Sequence, residues 1–507
     1  MTATRRARAI LLGTVLTVAV CGFVYELVLI ALGTYLFGNS VFQVSIVLAA
    51  FVSAMGLGSL LAKPMLRRPV EAFVLVEAAV ALIGGLSAMV LYAAFAWADL
   101  YQPTLILVAS TIGLLVGCEI PLLLELIQRV RAQAAGASVA DLLAADYLGA
   151  VVAGVGFPFL LLPWLGQIQA ALAVGALNAC AGLVVVALLG APRRAALALA
   201  PVGVLIVLGG AALASSWFEV TARQNLFDDP VVRFERTRHQ EIVLTENPRD
   251  SDVRLFINGD LQFSSKDEYR YHEALVHPAM AGRHERVLIL GGGDGLALRE
   301  VLAYPGVRRA VLVELDGRIL GLARSDERLA KLNRGALADP RVQTVRRDAF
   351  AWLREARERF DVVIADFPDP DDAATAKLYS QEIYEGVRRR VLAPGGRLVV
   401  QAGSPYFAAE AFWSIERTVA AAGWATRPYH VDVPSFGDWG YVLAGAGAGA
   451  PPLRIAAPAG HPLRFLDAPT LAAAAVFPRD RQRLPVDVST LNRPRILDYE
   501  RRGYRDY

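Results

Sequence analysis

The sequence predicts two architectures in one chain. An α-helical transmembrane bundle comes first, then an α/β doubly wound, Rossmann-like domain with a small N-terminal β-strand subdomain. Three observations carry this. Apolar runs of roughly 20 residues, the length of a bilayer crossing, recur from about residue 9 to 217 and stop there. From 285 onward, short β-branched runs alternate with helical patterns. The stretch "VLILGGGDGLALREVL" at 287–302 reads as a strand, a glycine-rich turn and a helix.

Of the 507 residues, 55% are hydrophobic, and the mean hydropathy of +0.41 is high for a soluble chain. Seven spans are expected near 10–36, 41–62, 71–96, 103–127, 143–165, 168–190 and 196–217, within a membrane domain at 1–217. The first is too long for a cleaved signal, lacks a small-x-small site, and has Val20 where a lipoprotein signal before Cys21 would not. It reads as an anchor. Basic residues mark alternate loops: Arg5, Arg6 and Arg8; Lys63, Arg67 and Arg68; Arg129 and Arg131; Arg193 and Arg194. The positive-inside rule makes those four cytoplasmic.

A conflict follows. Seven spans with an inside N-terminus leave everything after Trp217 outside, whereas a domain drawing on a cytosolic nucleotide belongs inside. Either one span is miscounted or re-entrant, with 143–165 the weakest, or the domain faces out. Within the spans, Glu26, Glu119, Glu125, Asp141 and Asp146 are costly near hydrocarbon. Glu125, Asp141 and Asp146 also fit the interface, while Glu26 and Glu119 lie deeper, where a polar path or cation site is the alternative to structure. "AMGLGSLLA" and "GAVVAGVGF" space small residues for close helix packing.

Net charge is only +3, from 51 Lys+Arg against 48 Asp+Glu. Such a balance makes no basic field, so nucleic acid is not an expected partner. Cys21, Cys118 and Cys180 are widely spaced in apolar segments and imply neither a disulfide framework nor a metal site.

Residues 218–284 form the β-strand subdomain, with "HQEIVLTE" and "VRLFINGDLQF" alternating apolar and polar positions and "INGD" at 257–260 as a hairpin turn. Residues 285–446 form the doubly wound domain. Its strands are "RVLIL", "RAVLVEL", "VQTVRRD", "FDVVIADF" and "GRLVVQAG", and 424–446 reads as an antiparallel pair closing the sheet. Residues 447–507 are linker and tail; the Ala/Pro/Gly-rich stretch 444–460 is the linker, and 461–507 is expected to pack along the domain.

Ligands of such sheets bind beyond the carboxyl ends of the strands. Asp294 stands after the first strand, Glu314 after the second, Asp348 after the third, and Asp366 and Asp369 after the fourth. Glu314 follows Gly291 by 23 residues, near the spacing at which an acid takes ribose hydroxyls. Each has a plainer alternative: Asp348 as a helix cap, Glu314 as a solvated turn residue, Asp366 as a turn acid. Together, the acids would repel a pyrophosphate or a free carboxylate. They favour a nucleoside with a cationic tail and a second, cationic substrate.

The segments "LFINGDLQFSSKDEYRYHEALVHPA", "GGGDGLALREVL", "VELD", "RDAF" and "DFPDP" resemble the spermidine synthase (polyamine aminopropyltransferase) family, over roughly 235–445. The branch resembled carries an N-terminal multi-span membrane domain, so a multi-pass protein of the cell (plasma) membrane is implied, with the lipid bilayer as a partner. The resemblance implies an S-adenosylmethionine-dependent type of transferase fold with no bound cofactor. Decarboxylated S-adenosylmethionine would be the cosubstrate, a small diamine (putrescine) the acceptor, and a homodimer the assembly. By family position, Asp366 matches the proton acceptor, Asp369 an acid holding the amine, and Asp294 the acid holding the donor's ammonium. Glu314 matches the ribose-binding acid, Asp348 and Ala349 the adenine site, and Gln240 the nucleoside site, with Gly291 and Gly293 in the donor turn. Gln262, Tyr271 and His272 match the acceptor channel, although Tyr271 and His272 also suit helix packing; His277 reads as structural.

Departures bear on the acceptor. Phe367 and Pro368 follow the catalytic acid where small or polar residues are common, and Ala373 replaces a frequent proline. Phe436 stands where many members have tyrosine. A narrower, more apolar channel is expected. Two competing readings are a methyltransferase on the same sheet and a polyamine transporter or sensor whose soluble domain only binds. The charge pattern predicts that tags at 65, 130 and 193 are cytoplasmic and those at 39 and 100 external. Cosubstrate supply places a tag at 507 in the cytoplasm, and its cleavage by protease added to intact cells would contradict that.

Overall fold

The computed structural model describes residues 2–37, 40–98, 100–130, 135–189, 194–456, 458 and 460–504. It divides into two compact units, Met1–Asp228 and Asp229–Tyr507. The first comprises helices α1 (Thr2–Phe37), α2 (Ser40–Leu61), α3 (Pro69–Ala93), α4 (Tyr101–Val130), α5 (Ala135–Gly156), α6 (Leu162–Leu189) and α7 (Arg194–Gln224). The composition break at Trp217 falls inside α7, which continues through an Arg223–Glu219 ion pair of 2.6 Å.

Among the described residues, six helices are long and apolar enough to cross a membrane, by length and composition. One of them, Val139–Leu189, joins α5 and α6 into 51 residues. At 1.5 Å per residue that is about 77 Å, more than twice a bilayer core. It is not one straight rod: Gly166, at φ 71 and ψ −175, is non-helical and kinks it. Such a backbone is open to glycine and strained for other residues. The expected spans 143–165 and 168–190 lie on either side. Positions 39, Arg131, Arg193 and 507 lie outside the described residues, as do the side chains of Arg5, Arg6, Arg8 and Arg129.

Small residues set the α2–α4 contact. A Cβ added at Gly58 would collide with the Leu114 carbonyl, and one at Gly113 or Gly117 with the carbonyls of Phe51 and Met55. The backbones therefore approach closely, and Ser59 Oγ donates to the Gly117 carbonyl at 3.0 Å. In "GAVVAGVGF", Gly149 packs on Ala19, whereas Gly154 and Gly156 have open space beside them.

The second unit begins with an antiparallel sheet, β1 (Val231–Arg236), β2 (Glu241–Glu246), β3 (Val253–Ile257) and β4 (Asp260–Ser264), in that order. Asn258 at φ 54 and Gly259 at φ 99 join β3 to β4, the positive-φ pair that a tight hairpin requires. Then come α8 (Glu268–Met280), β5 (Arg286–Gly291), α9 (Leu296–Leu302), β6 (Arg309–Glu314), α10 (Gly317–Ser325), α11 (Glu327–Leu332) and β7 (Val342–Arg346). They are followed by α12 (Ala349–Glu355), β8 (Phe360–Asp366), α13 (Ala373–Ala376), α14 (Gln381–Gly386), β9 (Leu392–Gln401), α15 (Ala409–Ala421), β10 (Ala425–Val433), β11 (Gly437–Gly445), α16 (Ala468–Ala473) and α17 (Arg495–Gly503).

The main sheet runs β10-β11-β9-β8-β5-β6-β7. β5 to β9 pair in parallel, and β10 and β11 close one edge antiparallel. Alternate residues serve opposite faces. Val287 and Ile289 pack with Leu275 of α8, Leu298 of α9 and Leu320 of α10. Leu288 and Leu290 pack with Leu353 of α12, Ile383 of α14 and Phe412 of α15. Burial on both faces explains why these strands read as unbroken apolar runs. The tail after the linker is pinned where Glu273 accepts from the backbone N–H groups of Arg464, Phe465 and Leu466 at 2.7–2.9 Å.

Candidate active site

The chain leaves the sheet centre in two directions, from β5 towards β6 and β7, and from β8 towards β9. Such a reversal is where open α/β sheets hold ligands. The register sets Gly291 of β5 opposite Asp366 of β8. Gly291 has φ 85, and a Cβ there would collide with the Asp366 carbonyl. A larger residue would force the strand ends apart. The Gly292 N–H donates to the same carbonyl at 3.1 Å.

A cavity of about 240 Å³ opens here. Its wall brings together Gln240, Gln262, Tyr271, His272, Gly291, Gly293, Asp294, Glu314, Asp348, Ala349, Asp366, Asp369 and Phe436. Those are the residues the sequence nominated.

At one side, Tyr271 donates its hydroxyl to Asp366 Oδ1 at 2.7 Å. Burial, countered by His272 and reinforced by Asp294, pushes Asp366 up to about 6. Burial and then Asp366 raise the Tyr271 phenol well above its usual range, so it remains a donor. Asp369 Oδ1 accepts from Gln401 Nε2 at 3.0 Å, and burial pushes it to about 6 as well. The same amide donates to the Phe367 carbonyl at 2.7 Å, while Tyr379 donates to the carbonyls of Phe367 and Pro368. Phe436 stands edge-on to Tyr271 at 6.0 Å and packs on Trp439 at 5.0 Å. These rings make that wall apolar between its acids.

At the other side, Glu314 is pushed up to about 7 by burial, against the backbone N–H groups of Asp316 and Leu315. Asp348 does two things. One oxygen caps α12 by accepting from Ala351 N at 2.8 Å; the other pairs with Lys377 at 2.6 Å. Burial opposes its ionisation, but Lys377 and the cap outweigh burial and hold it below its usual range. Asp294 Oδ1 accepts from Leu296 N at 2.7 Å; burial raises it, with His272 pulling the other way. Gln240 Nε2 is buried without a hydrogen-bond partner. A nucleoside's acceptors would satisfy it, and a buried donor left unpaired is costly.

Behind the wall runs a buried polar chain that motif reading passed over. Glu268 Oε2 lies 2.9 Å from His272 Nδ1 and 2.9 Å from Arg299. Arg299 also pairs with Glu300 at 2.8 Å, Glu300 lies 3.1 Å from His277, and His277 lies 2.7 Å from the Tyr304 hydroxyl. Burial works against a charge on His272, but Glu268 outweighs it and raises the imidazole's pKa. The i,i+4 spacing of Glu268 and His272 was the available signal.

A second group was also missed. Asp260 and Asp371 line the cavity beside Asp369. Asp260 is exposed as a residue, yet crowding around its carboxylate, then Asp371 and Asp369, pushes it up to about 7. Glu500 of α17 is 5% exposed, and its Oε1 has no hydrogen-bond partner. Burial, then Asp369, Asp371 and Asp260, raise it well above its usual range. Arg501 of the same helix reaches the Asp371 carbonyl at 3.4 Å. Asp260 was hidden in a good turn motif, and Glu500 in a tail with no motif.

The family described as Spermine/spermidine synthase domain matches residues 268–449. Polyamine aminopropyltransferase 1 of Streptomyces coelicolor is 54% identical over 99% of this chain and 96% of its own length. The polyamine aminopropyltransferase of Mycobacterium tuberculosis is 46% identical over 99% of this chain and its own full 100%. That of Corynebacterium efficiens is 44% identical over 98% and 96%. These alignments run through both units.

The raised acids predict a pH dependence. Asp366 and Asp369 lose charge as pH falls through about 6, and Asp260 through about 7, so retention of an organic diammonium should weaken over that window. Asp369→Asn should make the fall shallower. Equilibrium binding between pH 8 and 5 checks this, and flat affinity across that range would contradict it.

Proposed function

The chain belongs to the polyamine aminopropyltransferase (spermidine synthase) family, as a membrane-associated member, and from that premise we propose its reaction. The donor is decarboxylated S-adenosylmethionine, the acceptor is putrescine, and the products are spermidine and methylthioadenosine. The observation that carries this is the gathering of Asp294, Asp366 and Asp369 around one cavity. A cationic donor tail and a cationic acceptor suit those acids, and a carboxylate ligand does not.

Glu314 binds the ribose, Gln240 and the Asp348–Ala349 turn bind the base, and Asp294 holds the donor's ammonium. The acceptor lies between Tyr271, Gln262, His272 and Phe436, with Asp369 at its cation. A primary amine titrates near about 10.4, so it arrives protonated and must lose a proton before it attacks. Asp366, raised to about 6 and oriented by Tyr271, takes that proton. The amine nitrogen then bonds to the aminopropyl carbon, the carbon–sulfur bond breaks, and its electron pair neutralises the sulfonium. His272, backed by Glu268 and Arg299, is a positioning residue for Tyr271 and the two acids.

A methyltransferase reading is disfavoured, because an intact methionine carboxylate would face Asp294. We place the protein in the plasma membrane with the catalytic unit on the cytoplasmic side, where the cosubstrate is made.

Replacing Asp366 tests the mechanism. Asp366→Asn should lower the maximal rate about 10²–10⁴-fold, the usual worth of a general base, and leave donor binding nearly unchanged. Raising pH should partly rescue it, since more free amine then arrives deprotonated. Asp369→Asn should mainly raise the apparent acceptor constant. Near-normal turnover by Asp366→Asn at saturating amine would remove Asp366 as the base.

A further inference from the structure

The membrane unit has a cavity of its own. It measures about 80 Å³ and lies among α1, α2, α4 and α5, roomy enough for several waters by the usual criterion. Three carboxylates reach it, Glu26 from α1, Glu119 from α4 and Asp146 from α5, and among the described residues no Lys, Arg or His lines it. The rest of the wall is apolar, including Phe23, Met55 and Leu123. On α1 the lining residues recur every three or four positions from Val15 to Glu26, so one helix face is given over to this space. Glu119 is only 3% exposed, and the Oε1 atoms of Glu119 and Glu26 are buried without hydrogen-bond partners.

Acids in a bundle that crosses a membrane are costly, and those without protein partners either keep a proton or take a cation from elsewhere. Among the described residues no three His, Cys, Asp or Glu stand close enough to hold a metal ion. A hard cation needs six or more converging oxygens. Here the oxygens are dispersed over three helices, with hydrocarbon between them. The matching ligand disperses its charge in the same way, as ammonium groups separated by methylenes. We propose that this cavity binds the end of an aliphatic di- or polyamine, with Glu119 as the principal anion and Glu26 and Asp146 beside it. The membrane unit is then an amine-binding body in its own right, whether or not the catalytic unit turns over.

The test uses the full-length protein in lipid nanodiscs, without donor, and radiolabelled spermidine as the probe. Two classes of site per chain are expected. Asp369→Asn should weaken one. Glu119→Gln should weaken the other by about thirtyfold or more, as loss of a buried charge partner does, while turnover with donor and putrescine stays at the wild-type rate. Glu119→Asp should restore much of that binding. Glu26→Gln, expected to weaken the same class less, serves if Glu119→Gln does not insert. A single class of site in the wild type would overturn the proposal. So would identical spermidine binding by wild type and both Gln variants, or displacement by sodium as effective as displacement by putrescine.

Discussion

The catalytic unit depends on one close approach. β5 and β8 run side by side with Gly291 opposite Asp366, so near that only a glycine clears the Asp366 carbonyl. That pairing fixes the floor of the cavity and the direction in which Asp366 leaves its strand. The sequence around it serves the same end: Gly292 closes the turn onto the Asp366 carbonyl, and Tyr271 arrives from α8 to hold the carboxylate. The chain turns away from β5 and β8 in opposite directions, which leaves a crevice at the strand ends where ligands of such sheets bind.

Charge then follows from enclosure. Asp366, Asp369 and Glu314 are raised chiefly by burial, so a cation or a hydrogen-bond donor beside each favours its charged form. Asp348 is held ionised by Lys377 and its helix cap, against the pull of burial. Asp348 is thus fixed by partners within the protein, while the other three carry charge against their own burial. The buried chain from Glu268 through Arg299 and Glu300 to His277 keeps the wall behind His272 in place. Opening it would leave uncompensated charge inside the protein, which costs about 3–5 kcal/mol.

Much of this was legible in the residues. Asp294, Glu314, Asp348 and Asp366 end their strands or begin the next turn, so strand periodicity alone placed them on one edge. The Asn258–Gly259 hairpin was equally open, since few residue pairs accept two positive φ angles. Other features were hidden for physical reasons. Asp260 and Glu500 meet Asp369 only through tertiary packing of β4 and α17, and no local pattern reports that. The break at Gly166, by contrast, falls between the expected spans 143–165 and 168–190. α7 outruns the composition break because a helix carries its hydrogen bonds past the edge of its apolar face.

On the proposed function the cavity takes a nucleoside whose tail is a cation without a carboxylate. Affinities for decarboxylated and intact S-adenosylmethionine, measured in the wild type and in Asp294→Asn, decide it. The decarboxylated donor should bind at least about tenfold tighter to the wild type, a difference of ~1.4 kcal/mol, and Asp294→Asn should narrow the gap. Equal or tighter binding of the intact compound by the wild type would contradict it.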